Sequence, residues 1–245
     1  MLASSALQQG LGRIAVIADV HANLPALEAA LAAINRDGAD AIYHLGDAVA
    51  IGPFPDETLA LLLATPNLHC LMGNHDAWCA LGISEADWQA MDAEEQAHQR
   101  WTRARVNPEA KMRMAQWPYR IDLALGGMRV ALLHYALAQE QSTSSPRGFA
   151  PLVYDAQARD LDALFAEVDA EIVIFGHLHS SLDLHGRRRY LRPGSLGCHD
   201  RPLARYLLLS SRQGCVEVSY RVAPYADARL FAALESRQVP AREFI

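Results

Sequence analysis

The sequence predicts an α/β fold of stacked layers joined by crossover connections. Short continuous apolar runs recur at residues 13–18, 41–45 and 68–72, as expected of strands buried on both faces of a mostly parallel sheet. Stretches of helical period lie between them, and β-α alternation of this kind builds layered sheets with helical crossovers. The chain has 245 residues, 51% hydrophobic and 20% charged, which is enough apolar surface for a sizeable core. Against a usual domain size of roughly 150 residues this length allows one or two domains, and a single domain over 1–245 is the starting expectation.

Taken in order, the run RIAVIA at 13–18 is bounded by Gly12 and Asp19 and forms the first strand. A helix follows: Asn23 caps it, Pro25 sits in its first turn, Leu24, Leu27, Leu31 and Ile34 recur at helical spacing, and Gly38 stops it. The run at 41–45 meets Gly46-Asp47, and a Leu-rich helix from about Pro55 ends before Pro66. The strand at 68–72 breaks at Gly73. From about 77 to 117 no strand-like run intervenes, while Ser84, Asp87 and Asn107-Pro108 signal helix starts, so this stretch is a helical insert. Strands resume at 119–125 and 128–133, joined by Gly126-Gly127 as a hairpin turn. The polar segment 139–148 reads as a surface connection. A helix near 156–166, a buried strand at 171–175 ending in Gly176, three or four antiparallel strands, among them 204–210 and 215–220, and a C-terminal helix complete the chain.

Several function classes are excluded early. The longest apolar run, 59–64, is far short of the roughly 18 residues that a membrane span needs. Residues 1–13 lack a charged start and a continuous apolar stretch, so they read as a disordered lead-in, and a cytoplasmic location is the default expectation. The four cysteines have no C-x-x-C spacing and are expected to be reduced thiols. A net charge of −6 argues against a broad basic face for extended duplex DNA, but not against phosphate substrates held by metal.

Chemistry concentrates in five segments: Asp19-x-His21, Gly46-Asp47, Gly73-Asn74-His75-Asp76, His134, and Gly176-His177-x-His179. Each directly follows a predicted strand, where loops at the carboxyl ends of an α/β sheet converge into a crevice. In the two x-spaced pairs an extended backbone would point both side chains to one side. Each segment alone has an ordinary explanation, such as a capping turn or a buried histidine; together they ask for a metal. The donors are oxygen and imidazole without thiolate, which suits Mn, Fe, Zn, Co or Ni. Seven candidate ligands, Asp19, His21, Asp47, Asn74, His134, His177 and His179, exceed what one ion with open positions can use. Two divalent ions sharing a bridging carboxylate fit better.

The ordered blocks DVH, GD, GNHD, H and GHLH resemble the calcineurin-like metallophosphoesterase superfamily. ADVHANLPALEAAL, GDAVAIGP and RPGSLG are further similar to its small bacterial phosphodiesterase-like branch, which includes proteins labelled diadenosine-tetraphosphatase-like. The resemblance, from about residue 13 to 220, implies a four-layer α/β/β/α sandwich. It implies Asp19, His21, Asp47 and His179 around one ion and Asp47, Asn74, His134 and His177 around the other, with manganese the first expectation. It also implies a catalytic His75 oriented by Asp76. The activity implied is hydrolysis of a small phosphate ester or nucleotide, a phosphodiester first of all, by a hydroxide that bridges the metals. Phosphomonoester or dinucleoside-polyphosphate hydrolysis is the alternative, and a non-enzymatic interaction scaffold the remote one. Tyr135 stands where the family usually has glycine after the histidine of the fourth block, His134.

Other features carry less. Gly194-Ser195-Leu196-Gly197 lacks the G-x-S-x-G spacing of a serine hydrolase. Cys198-His199 reads as a loop near the crevice, and Arg187, Arg188 and Arg189 as a solvated hairpin tip. Arg100, Trp101 and Arg103 lie in the insert and are either a solvated helical face or substrate contacts in a cap over the crevice.

Overall fold

A computed structural model describes residues 12–138, 148–212 and 214–242. Residues 1–11 of the expected lead-in and nearly all of the polar segment 139–148 therefore lie outside the described residues, while Arg13 already belongs to the first strand. The chain begins with β1 (Arg13–Ile17), α1 (Leu24–Asp37), β2 (Ala41–His44), α2 (Pro55–Ala64) and β3 (Leu68–Cys70), and then enters four helices: α3 (Asn74–Ala80), α4 (Glu85–Ala90), α5 (Ala93–Arg105) and α6 (Pro108–Met114). β4 (Arg120–Leu125), β5 (Met128–Leu133), α7 (Ala158–Leu164) and β6 (Ile172–Phe175) follow. The chain closes with β7 (Leu182–His185), β8 (Arg189–Arg192), β9 (Leu203–Arg212), β10 (Cys215–Pro224) and α8 (Ala228–Ser236). No helix among the described residues is long and apolar enough to cross a membrane.

Two five-stranded sheets result, in the orders β10-β9-β1-β2-β3 and β4-β5-β6-β8-β7. Side-chain alternation sorts the apolar residues into three layers of core. Along β1, Ile14 and Val16 pack between the sheets, while Ala15 and Ile17 face α1 and α2. Along β6, Ile172 and Ile174 pack between the sheets, and Val173 and Phe175 face Leu161 and Phe165 of the α7 region. The architecture is therefore the four-layer α/β/β/α sandwich.

The local signals act as the sequence indicates. Asn23 accepts the Ala26 N–H, and Gly38 closes α1 in the left-handed conformation at φ 70°. Ser84 and Asn107 cap α4 and α6. Strand direction is more mixed than the mostly parallel sheet that the opening runs suggest, in keeping with the antiparallel strands expected at 204–210 and 215–220. The strands joined by α1 and α2 are parallel, but β9 is antiparallel to β1 and makes a hairpin with β10, so the first sheet is mixed. In the second sheet β8 runs parallel to β6 and antiparallel to β7. An apolar run reports burial on both faces and not the direction of the neighbouring strand. The helical insert also begins earlier than residue 77, since Asn74, His75 and Asp76 form the first turn of α3.

Candidate metal centre

All five sequence blocks come together at one end of the two sheets. β1, β2 and β3 of the first sheet deliver Asp19, His21, Asp47 and the start of α3, while β5 and β6 of the second deliver His134, His177 and His179. Backbone bonds lace the loops together: Asp19 N–H donates to Gly46 O at 3.0 Å, His21 N–H to Asp47 O at 2.9 Å, and Gly176 N–H to His134 O at 2.9 Å.

The x-spaced pairs do not point together through an extended backbone. Asp19, His21, Asp47 and His177 all have positive φ, at 54°, 49°, 59° and 69°. Non-glycine residues in this region cost about 1–3 kcal/mol each and persist where the surroundings over-determine them. Here the backbone turns sharply at each strand end, and His177 and His179 are sent to different parts of the site, His177 to His134 and His179 to His21. Two glycines make the approach possible. A Cβ at Gly73 would lie 2.2 Å from Asp47 Oδ1 and 2.4 Å from its backbone nitrogen, and a Cβ at Gly46 would lie 2.6 Å from Gly73 N.

Asp47 sits at the centre. Its Oδ2 is 3.8 Å from His21 Nε2 and 3.4 Å from His134 Nε2. His134 Nε2 is also 3.0 Å from His177 Nδ1 and 3.0 Å from Asn74 Oδ1, and His21 Nε2 is 3.0 Å from His179 Nε2. Three groups of donors gather within 4.8 Å: His21, Asp47 and His75; Asp47, His134 and His177; and His21, His179 and Cys198. Asp47 belongs to two of them. Asp19, which is completely buried, accepts the His177 N–H at 3.1 Å on Oδ1 and 3.2 Å on Oδ2, and so ties the first loop to the last.

The electrostatics ask for positive charge. Burial holds the imidazoles of His21 and His134 well below their usual range, pushes His177 down to about 4, and lowers His179. Each of the two nitrogen pairs at 3.0 Å can be a single N–H···N hydrogen bond between neutral rings, and each brings together nitrogens whose lone pairs can turn to a cation. Burial also raises Asp19 to about 7 and Asp47 well above the carboxylate range. A cation stabilises these buried carboxylates and can take up the imidazole lone pairs. His134 Nδ1 lies 3.0 Å from Leu45 O, which assigns its proton to Nδ1 and leaves Nε2 free toward the site, the arrangement usual for a ligating histidine. The residues therefore fit divalent ions. Cys198 changes the expected donor chemistry, since a thiol stands beside His21 and His179.

Several expectations need correction. Asp76 does not orient His75: its carboxylate accepts the N–H groups of Asp47 (2.7 Å), Ala48 (2.9 Å), Gly73 (3.1 Å) and Val49 (3.4 Å). Placed in the first turn of α3, it faces the β2 loop. Gln99 of α5 reaches the His75 ring instead, with Nε2 3.0 Å from Nδ1. Trp101 is no substrate contact. It packs with Leu234 and Val239 against the C-terminal segment, because its position on α5 faces away from Gln99. Arg100 lies over the Trp88 ring at 4.8 Å, Arg103 is exposed, and neither lines the cavities beside the site. Nothing but the approach of α5 to the α3 start could have singled out Gln99.

Other features sit as the sequence suggests. Ser195 Oγ donates to Asp19 O at 2.7 Å and is completely buried, so it is a strut. Tyr135 is buried against Phe165, Phe175 and His177, and its hydroxyl accepts the Val153 N–H at 3.0 Å. Three cavities border the centre. One of about 520 Å³ is lined by Asn74, His177, Trp78, Tyr119 and Phe149; one of about 340 Å³ by His75, Gln99, His98 and Ile51; and one of about 370 Å³ by His179, Tyr135, Tyr154 and Arg192.

Comparison with known proteins agrees with this geometry. The calcineurin-like phosphoesterase superfamily domain matches residues 13–214. A 77-residue stretch is 43% identical to an uncharacterized protein of Methanocaldococcus jannaschii; the match spans 31% of this chain and only 30% of that relative's length. The solved structure of a hypothetical protein from Pyrococcus horikoshii OT3 superposes with a TM-score of 0.77 at 20% identity, covering 94% of each chain, which speaks for the fold alone. A metallophosphoesterase from Sphaerobacter thermophilus superposes with a TM-score of 0.67 at 25% identity, covering 95% of this chain and 96% of its own.

Proposed function

Because the chain belongs to the calcineurin-like phosphoesterase superfamily, we propose that it is a dinuclear-metal phosphodiesterase acting on small phosphate or nucleotide esters. The observation that carries the reading is the position of Asp47, one carboxylate shared by a histidine group on each side. Asp19, His21, Asp47 and His179 would hold one ion, and Asp47, Asn74, His134 and His177 the other. When bound, two such ions supply an activated water at neutral pH and neutralise charge developing on the phosphoryl group.

The chain's own residues do the rest. His75 is kept neutral by burial, its imidazole pushed down to about 3. The Gln99 amide donates to Nδ1, so the ring proton sits on Nε2. A neutral Nε2–H is a hydrogen-bond donor for a phosphoryl or leaving oxygen, and such a donor in a dry site stabilises the transition state without reorganisation. Asp76 fixes the backbone under Asp47 and His75, so both reacting sides share one rigid base. One cavity is lined by Asn74 and His177 and a second by His75 and Gln99. Room for a substituent in each favours a diester over a monoester.

The test is reconstitution of metal-free protein with Mn²⁺, Zn²⁺, Fe²⁺, Co²⁺ or Ni²⁺, elemental analysis, and turnover of bis(p-nitrophenyl) phosphate, p-nitrophenyl phosphate and a dinucleoside polyphosphate. About two ions per chain and fastest turnover of the diester are expected. Saturation at one ion without hydrolysis overturns the dinuclear reading, and faster turnover of either other substrate overturns the diester preference.

A further inference from the structure

Arg192 ends β8, a strand paired with the strand that carries His177 and His179. It is 7% exposed, and a guanidinium is among the groups least often buried without a charged partner. Among the described residues it makes no ion pair. Its Nε and Nη2 donate to the backbone carbonyl and hydroxyl of Ser180, and its plane lies 5.5 Å from the centre of the Phe175 ring. A guanidinium carries five N–H donors in a fixed fork, and Ser180 receives a bond from only two of its nitrogens. Nη1 has no partner among the described residues.

The remaining donors border the cavity of about 370 Å³ that His179, Tyr135, Tyr154 and Ser181 also line. Asp155 is the carboxylate on that wall, and it is exposed and not paired with Arg192. The cation acts on the centre: it opposes the rise that burial causes at Asp19 and adds to the fall that burial causes at His179, and the Asp19 carboxylate offsets part of its charge. A buried cation without an ion pair among the described residues, oriented by a serine and an aromatic ring and opening into a cavity that touches a proposed metal ligand, is built to receive an oxyanion.

We propose that this cavity is an anion subsite, in which Arg192 binds a second anionic group, phosphoryl or carboxylate, that the substrate carries beside its scissile phosphate. The proposal rests on the phosphoesterase reading above and narrows its substrate class to esters with two anionic groups. Orientation by Ser180 leaves the outer edge of the fork free, so bidentate contact with one oxyanion is available while the scissile phosphate occupies the metal centre.

The test uses the metal-loaded enzyme, with metal content checked throughout. Calorimetry compares binding of orthophosphate, which has one anionic group, with pyrophosphate and with phosphonoacetate, whose second group is a carboxylate. Wild-type protein is expected to bind at least one two-anion probe about tenfold more tightly than orthophosphate, in keeping with a charge-assisted bidentate contact. The better probe identifies the second group. Arg192→Met is expected to bring that affinity ratio near one, and Arg192→Lys to keep part of it. A purely structural role would weaken all probes in parallel and leave the ratio unmoved. Equal binding of all three probes by wild-type protein, or an undiminished ratio in Arg192→Met, overturns the proposal. Should Arg192→Met not fold, the wild-type ratio and the Arg192→Lys ratio decide. Because binding is read without turnover, absence of hydrolysis would count against the phosphoesterase reading and not against the subsite.

Discussion

Asp76 holds the main chain of Asp47: its Oδ2 accepts the Asp47 N–H at 2.7 Å and the Gly73 N–H at 3.1 Å, while Oδ1 takes those of Ala48 and Val49. The His75 N–H in turn donates to Asp47 Oδ1 at 3.0 Å. One buried carboxylate thus clamps the loop after β2 to the first turn of α3. Asp76→Ala would strand these amides, and each unsatisfied buried N–H costs about 1–3 kcal/mol. The expected result is a clear fall in Tm together with loss of bound metal. Wild-type Tm and metal content with only kcat reduced would instead restore Asp76 as a mere orienter of His75.

Metal binding and chemistry separate at two other residues. Asp47→Ala removes the carboxylate shared by two histidine groups, so bound metal and hydrolysis are expected to disappear together. His75→Ala is expected to keep both ions and lower kcat by about 10² or more. Elemental analysis beside steady-state kinetics checks both, and a metal-free His75→Ala would contradict the assignment.

Gln99→Leu removes the partner of His75 Nδ1 without touching any proposed ligand. A drop of about tenfold to a hundredfold in kcat, with KM and metal content little changed, is the expected signature of a positioning residue. The ring freed from Gln99 can take its proton on either nitrogen, so Gln99→Glu, which also cannot donate when ionised, should not restore the rate.

Gly73→Ala tests close packing at the centre. The added methyl would sit 2.2 Å from Asp47 Oδ1 and 2.4 Å from its backbone nitrogen, so Asp47 must move. Loss of metal with retention of the far-ultraviolet circular dichroism of an α/β protein is expected; unaltered metal affinity would show that the loop yields at no cost.

Metal uptake is expected to release more protons in acid than in alkali. Asp19, raised to about 7 by burial, keeps its proton below that pH in the metal-free protein and must give it up to a cation. Its raised folded value has a second consequence. In metal-free protein the stability associated with the protonated carboxyl is complete below the unfolded value near 4 and is lost as pH rises through about 7. Proton release on titrating Mn²⁺ into weakly buffered protein at pH 6 and at pH 8 checks the first point, and equal release at both would refute it.

The alternation of apolar runs with helical periods fixed the layers, because a crossover helix packs its apolar face back onto the sheet whose strands it joins. Asn23, Gly38, Ser84 and Asn107 marked helix ends through local hydrogen bonds and backbone freedom, which neighbours in sequence are enough to determine. The five blocks of Asp, Asn and His were legible for a similar reason: strand ends in such a fold face one crevice. What needed the tertiary structure was every relation across the chain. Sequence proximity suggested Asp76 as the partner of His75, yet α5 brings Gln99 there from 24 residues away. Cys198 looked like a bystander until the loop after β8 carried it to His21 and His179. For Arg100, Trp101 and Arg103 the sequence left a solvated face and a substrate face open; the C-terminal segment covers Trp101, Arg100 lies over Trp88, and Arg103 is exposed. Hydrophobic period and capping are properties of a local stretch, whereas the direction of a turned strand end and the identity of a partner across sheets depend on how all the layers close.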